Sequence, residues 1–292
     1  MANFVKRVEE YFFLSRPYSV VNVVLLATFV SFLVNGGFVF TFFIRDVCLS
    51  VFMWVGSLFF NELIQNEKGR PKIDRVFLWF SLFFPIAVAL VVNYSAVGFV
   101  ILSYVSSYVY ATKNYRKIFS EFVFLFRGLV EVSIYATIVS LYGLSVGEHL
   151  FFLIPLYLLT VSRNLVGDLR DVKTDQSTLA VKRGVLATKI VSLVFLFAAV
   201  ALSPSLIVAF PLMVLIPLML LDNAYLTHRI FIVGTTFYFG NFILTLLSTP
   251  GIVVLFQQGL FLSVLANFTY GYVKRSSDKY SRGENHESHV RI

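Results

Sequence analysis

The chain has 292 residues, of which 58% are hydrophobic and only 14% are charged, and its mean hydropathy is +0.81. Soluble domains carry about 25% charged residues, so this composition excludes a soluble globular protein and predicts an integral membrane protein. The net charge of +8 is typical of basic loops on one side of a membrane and requires no nucleic-acid partner. The single cysteine, Cys48, excludes an internal disulfide.

Ten apolar segments are long enough to cross about 30 Å of hydrocarbon as helices. In chain order they cover residues 17–35, 46–64, 76–93, 95–112, 120–142, 149–166, 186–203, 205–222, 229–248 and 252–273. No linker long enough to separate two domains interrupts them. We therefore predict an all-α, polytopic membrane helix bundle that forms one domain over residues 1–273. Residues 274–292 are polar and are predicted to form a disordered tail.

The basic residues alternate with the predicted helices. They follow every second segment, and the intervening loops near 36–44, 94, 143–148, 204 and 250 contain almost none. Short cytoplasmic loops carry the excess of Lys and Arg in membrane proteins. This pattern predicts that both termini and all the strongly charged loops are cytoplasmic.

The first acidic loop follows the second predicted helix. Asn61, Glu62 and Gln65 fall on one face at the end of that helix, and Gly69 with Pro71 predicts its termination. Asn and Glu oxygens suit Mg²⁺, which binds one or two protein carboxylates together with substrate phosphates.

The second acidic loop follows the sixth predicted helix. Asp168, Asp171 and Asp175 are spaced by three and four residues, which places them on one face of a helix. Aligned like charges repel unless a cation or a basic partner compensates them, and a divalent metal is the simplest compensator. Basic side chains in the two loops are candidates to bind a diphosphate: Arg70, Lys72, Arg163, Arg170 and Lys182.

These residues resemble the UbiA superfamily of intramembrane prenyltransferases. The resemblance is carried by Arg16-Pro17 before the first helix, the Asn61 loop that closes with Arg70-Pro71, and the acidic run that leads into Thr178-Leu179-Ala180-Val181 and Gly184. It covers roughly residues 10–225. It implies nine helices around a central cavity, or ten in this chain, and Mg²⁺-dependent transfer of a prenyl group from a prenyl diphosphate to a lipophilic acceptor.

The resemblance also implies residue roles. Asn61 and Glu62 stand where the first motif begins, and Asp171 and Asp175 stand at the second, so that each pair would hold a Mg²⁺ beside the diphosphate, with Asp168 as a further catalytic carboxylate. Arg70 matches an Arg-Pro that closes the first motif, and Arg16 matches another that opens the first helix. Charge and location add three diphosphate candidates, Lys113, Lys117 and Arg163.

The first motif departs from the family pattern. Gln65 stands where the family has an Asp, and the loop is about three residues short, so that Asn66 or Glu67 takes the place of a second Asp. A similar gap follows Asp175. These departures put one of the two metal sites in doubt, whereas the acidic run of the second motif is intact.

Several polar residues lie within the predicted helices. Arg127 and Glu131 are four apart and either pair with each other or line the cavity. Asn164, beside the acidic run, is a functional candidate. Arg45 and Asp46 are expected at the membrane interface, and His149 is expected in solvent.

The residues leave the acceptor open. The register of Arg163 with the acidic run resembles the digeranylgeranylglyceryl phosphate synthases, which favours an ether-lipid precursor slightly over the aromatic quinone precursor of the menaquinone-branch enzymes. The alternative from another class is a transporter or noncatalytic membrane protein. Transporters place ionisable groups near the midplane of broken helices, whereas here they gather at one face.

Overall fold

A computed structural model describes residues 17–65, 75–114, 120–173, 175, 177–221, 223–248 and 251–281. All regular structure in these ranges is helical, as predicted. The helices are α1 (Pro17–Asn35), α2 (Phe40–Gln65), α3 (Arg75–Val92), α4 (Val97–Ala111), α5 (Val123–Leu141), α6 (Leu150–Arg170), α7 (Leu179–Arg183), α8 (Val185–Ala201), α9 (Leu206–Leu218), α10 (Ala224–Leu246) and α11 (Gly251–Ser281).

Ten of these helices coincide with the ten predicted segments, and α7 is a short additional helix between α6 and α8. Five of them contain candidate membrane spans by length and composition, Phe40–Phe59, Tyr94–Ala111, Ser120–Leu141, Val146–Arg170 and Ala224–Leu246, and five further apolar helices are shorter. The chain is therefore an integral membrane protein. Helix α11 continues to Ser281, past the predicted domain end at 273.

Eight helices close a ring. Neighbours pack in the order α1, α2, α4, α5, α6, α8, α9 and α10, and α10 returns to α1. Helix α3 lies outside against α2 and α4, and α11 lies outside against α10 and α9. Their outward faces carry exposed apolar side chains such as Trp79, Phe83 and Phe256, as lipid-facing surfaces require.

The two ends of the ring differ in charge. We call the end that holds Lys113, Asp168 and Asp175 the charged end, and the end that holds Asp46 and Tyr142 the opposite end. Near the opposite end, aromatic rings from α1, α5, α6 and α10 meet in the middle. Phe29 has centroid distances of 6.2 Å to Tyr135, 5.5 Å to Phe152 and 4.6 Å to Phe242. These rings form the aromatic cluster, which fills the centre at that level.

Among the polar residues of the opposite end, Asp46 is buried within the protein. Helix α2 begins at Phe40, six residues before the predicted start, so Asp46 lies inside the bundle with 0% exposure. Arg45 pairs with Asp46 Oδ1, the Tyr142 hydroxyl donates to Asp46 Oδ2 at 2.8 Å, and Asn35 donates to Tyr142. Burial is tolerated because both carboxylate oxygens have partners. His149 is likewise engaged, since its Nδ1 lies 2.9 Å from the Tyr135 hydroxyl.

Small residues let helices approach closely. A Cβ added at Gly56 in α2 would lie 2.9 Å from the Ser81 carbonyl oxygen of α3. We expect Gly56→Ala to destabilise the protein by about 1–3 kcal/mol, because a backbone carbonyl has little freedom to move. Thermal unfolding in detergent measures the effect.

Gly98→Ala is the matched control. Nothing lies within 4 Å of the corresponding Cβ position, so the intrinsic helix preference of Ala is expected to leave stability unchanged or raise it by up to about 1 kcal/mol. Equal losses in the two variants would contradict the packing explanation.

Candidate functional site

The acidic run does not continue as one helix. Helix α6 ends at Arg170, Asp171 caps it with φ −94° and ψ 9°, and residues 171–173 form a turn. The Asp175 amide donates to the Asp171 carbonyl at 2.9 Å. The prediction of three carboxylates on one helical face is therefore wrong for Asp175, because the chain turns away and spreads charges that would repel each other in line.

A lysine compensates two of these carboxylates. Lys113 Nζ lies 2.7 Å from Asp175 Oδ2 and 3.4 Å from Asp168 Oδ1, and all three side chains are at most 8% exposed. The Tyr110 hydroxyl lies 3.4 Å from both Asp168 Oδ1 and Lys113 Nζ. Of the two compensators expected from sequence, the structure thus contains the basic partner, and it joins the end of α4 to the end of α6.

The electrostatics keep Lys113 charged. Burial alone would lower the pKa of Lys113, but the neighbouring Tyr110, Asp168 and Asp175 outweigh burial and raise the pKa above its ordinary value. The site therefore holds a permanent ammonium group at neutral pH.

Asp171 is oriented differently from Asp168 and Asp175. Its two carboxylate oxygens accept from Arg170 Nε at 2.7 Å and Arg170 Nη2 at 2.5 Å, and Arg170 Nη1 lies 3.2 Å from His228 Nδ1. Burial alone would raise the pKa of Asp171, but the bonds and charge of Arg170, with Lys113 and His228, hold it below the ordinary value. Asp171 is therefore an ionised carboxylate at the rim of the site.

The described residues contain no group of three His, Cys, Asp or Glu side chains arranged to hold a metal. One buried oxygen is nevertheless without a protein partner there: Asp168 Oδ2 makes no hydrogen bond to the described part of the chain. Mg²⁺ needs only one or two protein carboxylates when substrate phosphates and water complete its shell. The donor set at Asp168 and Asp175 fits such an ion.

Arg163 forms an ion pair deeper in the bundle. Its Nη2 donates to Glu131 Oε1, and both side chains are buried. The predicted contact between Arg163 and a diphosphate stays a prediction. The ion pair from Glu131 to Arg163 on the neighbouring helix was not among the two alternatives predicted for Arg127 and Glu131. The Arg127 guanidinium lies 4.5 Å from the Trp54 ring centroid.

The remaining candidates are placed as follows. Asn61 and Glu62 lie in the last turns of α2, but their side chains are outside the described part of the structure. Four further candidates lie wholly outside the described residues: Arg16, Glu67, Arg70 and Lys117. Asn164 is partly buried on α6, and its Nδ2 has no hydrogen-bond partner among the described residues. Lys182 is exposed on α7.

Three residues at or beside the site were not selected from sequence: Trp54, Tyr110 and His228. Tyr110 precedes Lys113 by three positions, and this spacing signals a shared helix face. Trp54 and His228 reach the site from α2 and α10, and no local pattern connects them with the acidic run.

The Lys113 bridge predicts a large effect on stability. Lys113→Met leaves Asp168 and Asp175 without their ammonium partner, so we expect a loss of about 3–5 kcal/mol in metal-free buffer. Thermal unfolding in detergent tests this. Lys173→Met, at an exposed position on the loop that holds Asp175, serves as the control. Adding Asp168→Asn to Lys113→Met should recover part of the lost stability. Equal stability of Lys113→Met and the wild type would contradict the bridge.

Comparisons with known proteins agree with this arrangement at the level of fold. No family model and no curated protein sequence matches the chain. Several solved structures match it, among them three at 14% identity each. An apo UbiA homolog from Aeropyrum pernix K1 gives a TM-score of 0.65 over 78% of this chain and 97% of that chain.

The second structure is a digeranylgeranylglyceryl phosphate synthase, with a TM-score of 0.56 over 82% of this chain and 97% of that one. The third is a UbiA homolog from Archaeoglobus fulgidus bound to GPP and Mg²⁺, with a TM-score of 0.52 over 88% and 99%. The resemblance predicted from sequence is confirmed at the level of fold: the chain has the helical membrane fold of the UbiA homologs.

Proposed function

We propose that the chain is a UbiA-type prenyltransferase that moves a prenyl group from a prenyl diphosphate to a lipophilic acceptor with the help of Mg²⁺. The observation that carries the proposal is the buried charged end, where Lys113 joins Asp168 and Asp175 beneath the ends of two helices. Support comes from the fold, since one solved structure with this fold is that of a homolog bound to GPP and Mg²⁺.

Asp168 and Asp175, with Asp171 at the rim, are the residues that would hold one metal. We assign a second metal to Asn61, Glu62 and Glu67 of the first motif, as the resemblance implies. Bound Mg²⁺ would neutralise the charge that develops on the leaving diphosphate. We assign diphosphate contacts to Lys113, whose raised pKa keeps it cationic, and to Arg70, Lys117 and Arg16 from the sequence motifs.

The protein's own side chains prepare the site. The Tyr110 hydroxyl fixes Asp168 and Lys113 relative to each other, so the charges are already oriented before a substrate arrives. The apolar walls of the ring exclude water, which would otherwise capture an allylic cation. The Ser177 hydroxyl donates to the Lys113 carbonyl and ties the loop after the acidic run to the end of α4.

The acceptor that we propose is an ether-lipid precursor of the geranylgeranylglyceryl phosphate type, ahead of an aromatic quinone precursor. Its support is the register of the acidic run and the fold shared with a digeranylgeranylglyceryl phosphate synthase at a TM-score of 0.56. We also propose that the charged end faces the cytoplasm, on the basis of the Lys and Arg distribution.

One observation favours a noncatalytic relative. Lys113 already compensates the two carboxylates without a metal, and the described residues hold no cluster of three metal-ligating side chains. A bound anion would draw Lys113 away from the carboxylates and free them for Mg²⁺, whereas a noncatalytic protein would keep the bridge. Metal-dependent turnover separates the two.

The test is pyrophosphate release from geranylgeranyl diphosphate by purified protein, with Mg²⁺ or with EDTA, and with geranylgeranylglyceryl phosphate or dihydroxynaphthoate as acceptor. We expect Mg²⁺-dependent release with the lipid acceptor and a loss of roughly 100-fold in Asp175→Asn, because the variant lacks a carboxylate that would hold the metal.

Glu148→Gln makes the same carboxyl-to-amide change at an exposed position of the opposite end and should keep full activity. If folded wild-type protein releases no pyrophosphate with either acceptor, the noncatalytic relative is favoured. Release with dihydroxynaphthoate alone would correct the acceptor.

A further inference from the structure

A second group of charges lies deeper in the bundle than the Lys113 bridge. Arg127, Glu131 and Arg163 are 6%, 3% and 7% exposed, and all three lie within candidate membrane spans. Arg163 Nη2 donates to Glu131 Oε1 and holds that oxygen in place. Ionisable side chains inside a membrane are costly and usually serve function, so this group needs an explanation.

The deep group is continuous with the candidate site. The Arg127 guanidinium lies 5.8 Å from the Tyr110 ring centroid, and the Tyr110 hydroxyl contacts Asp168 and Lys113. Glu131 follows Arg127 by four positions, which is one helical turn. Arg163 precedes Asp168 by five positions, or about 7.5 Å of axial rise. The Glu131–Arg163 pair therefore lies just below the diphosphate site, toward the membrane interior.

Several buried polar atoms around this region have no hydrogen-bond partner among the described residues. They include Glu131 Oε2, Asn164 Nδ2 and Asp168 Oδ2. A buried polar atom without a hydrogen bond costs folding free energy. In native structures such an atom usually has a ligand, a water molecule or an ion as its partner. Glu131 Oε2 is a carboxylate oxygen, which accepts hydrogen bonds. A hydroxyl group, which donates one, is therefore a suitable partner.

We propose that Glu131 binds the hydroxyl group of the prenyl acceptor through Oε2. The inference rests on the proposed function and narrows the acceptor to a molecule that receives the prenyl group on a hydroxyl oxygen. A prenyl diphosphate whose phosphates lie at Lys113 and Asp168 extends its first carbon toward the interior, the side on which the Glu131–Arg163 pair lies. An acceptor hydroxyl on Glu131 is then next to the carbon that it must attack.

The step balances for an alcohol. The hydroxyl oxygen forms a bond to the first prenyl carbon, the bond from that carbon to the diphosphate oxygen breaks, and its electron pair leaves with the diphosphate. The hydroxyl proton passes to Glu131 Oε2. Arg163 donates to the other carboxylate oxygen and holds Glu131 in place.

A purely structural ion pair makes a different prediction. Buried pairs can often be replaced by apolar residues of similar size with little loss of stability. The double variant Glu131→Met/Arg163→Met thus separates the two roles, because it removes the carboxylate without leaving a buried charge unpaired. The Arg45–Asp46 pair of the opposite end provides the matched control, Arg45→Met/Asp46→Met, since it lies far from the site.

The experiment measures two quantities on folded, detergent-purified protein: the dissociation constant for geranylgeranyl diphosphate with Mg²⁺, and the rate of prenyl transfer to geranylgeranylglyceryl phosphate or to dihydroxynaphthoate. We expect Glu131→Gln and the double Met variant to bind the donor within about twofold of the wild type and to lose transfer by roughly 100-fold. The control pair should retain transfer, and Glu131→Asp should restore part of it.

Transfer at the wild-type rate by Glu131→Gln or by the double Met variant would overturn the role of Glu131. A wild-type protein that neither binds nor consumes the donor would instead overturn the proposed function, and this inference with it.

Discussion

Charges buried in an apolar ring must be balanced by other buried charges, and this constraint shapes the charged end. Lys113 satisfies it by lying between Asp168 and Asp175. The bridge joins the segment after α4 to the end of α6 and to the loop that follows it, where the Ser177 hydroxyl donates to the Lys113 carbonyl. A buried ion pair stabilises a protein only while all its members are present, because a buried charge without its partner is costly. The geometry of both helix ends therefore depends on one ammonium group.

The two ends of the ring show how a satisfied polar cluster differs from an unsatisfied one. At the opposite end, both carboxylate oxygens of Asp46 are engaged, by Arg45 and by Tyr142. At the charged end and just below it, Asp168 Oδ2 and Glu131 Oε2 lack hydrogen-bond partners in the described ranges. A buried carboxylate with both oxygens engaged fits a structural role, whereas a buried carboxylate that is held by one oxygen only can still accept a bond from a ligand.

Sequence predicted the helices well because each apolar segment is decided by its own residues. It also selected the acidic run and Lys113, since charge at the end of an apolar segment is conspicuous. It did not predict that Arg163 pairs with Glu131, that Arg127 lies on Trp54, or that Asp46 is buried. Spacing along one helix reports only which residues share a face, and partners on other helices are set by the packing of the ring. The turn after Arg170 escaped prediction for the same reason, because Lys113 of another helix attracts Asp175.

The aromatic cluster near the opposite end has a consequence for the membrane itself. Rings from α1, α5, α6 and α10 meet with centroid distances of 4.6 Å to 6.2 Å around Phe29. Apolar side chains offer no hydrogen-bond partners to water, and an ion that leaves water for an apolar environment loses a large hydration energy. A layer of aromatic rings between the charged end and the opposite end would therefore oppose ion leakage and help the membrane to keep its electrical resistance.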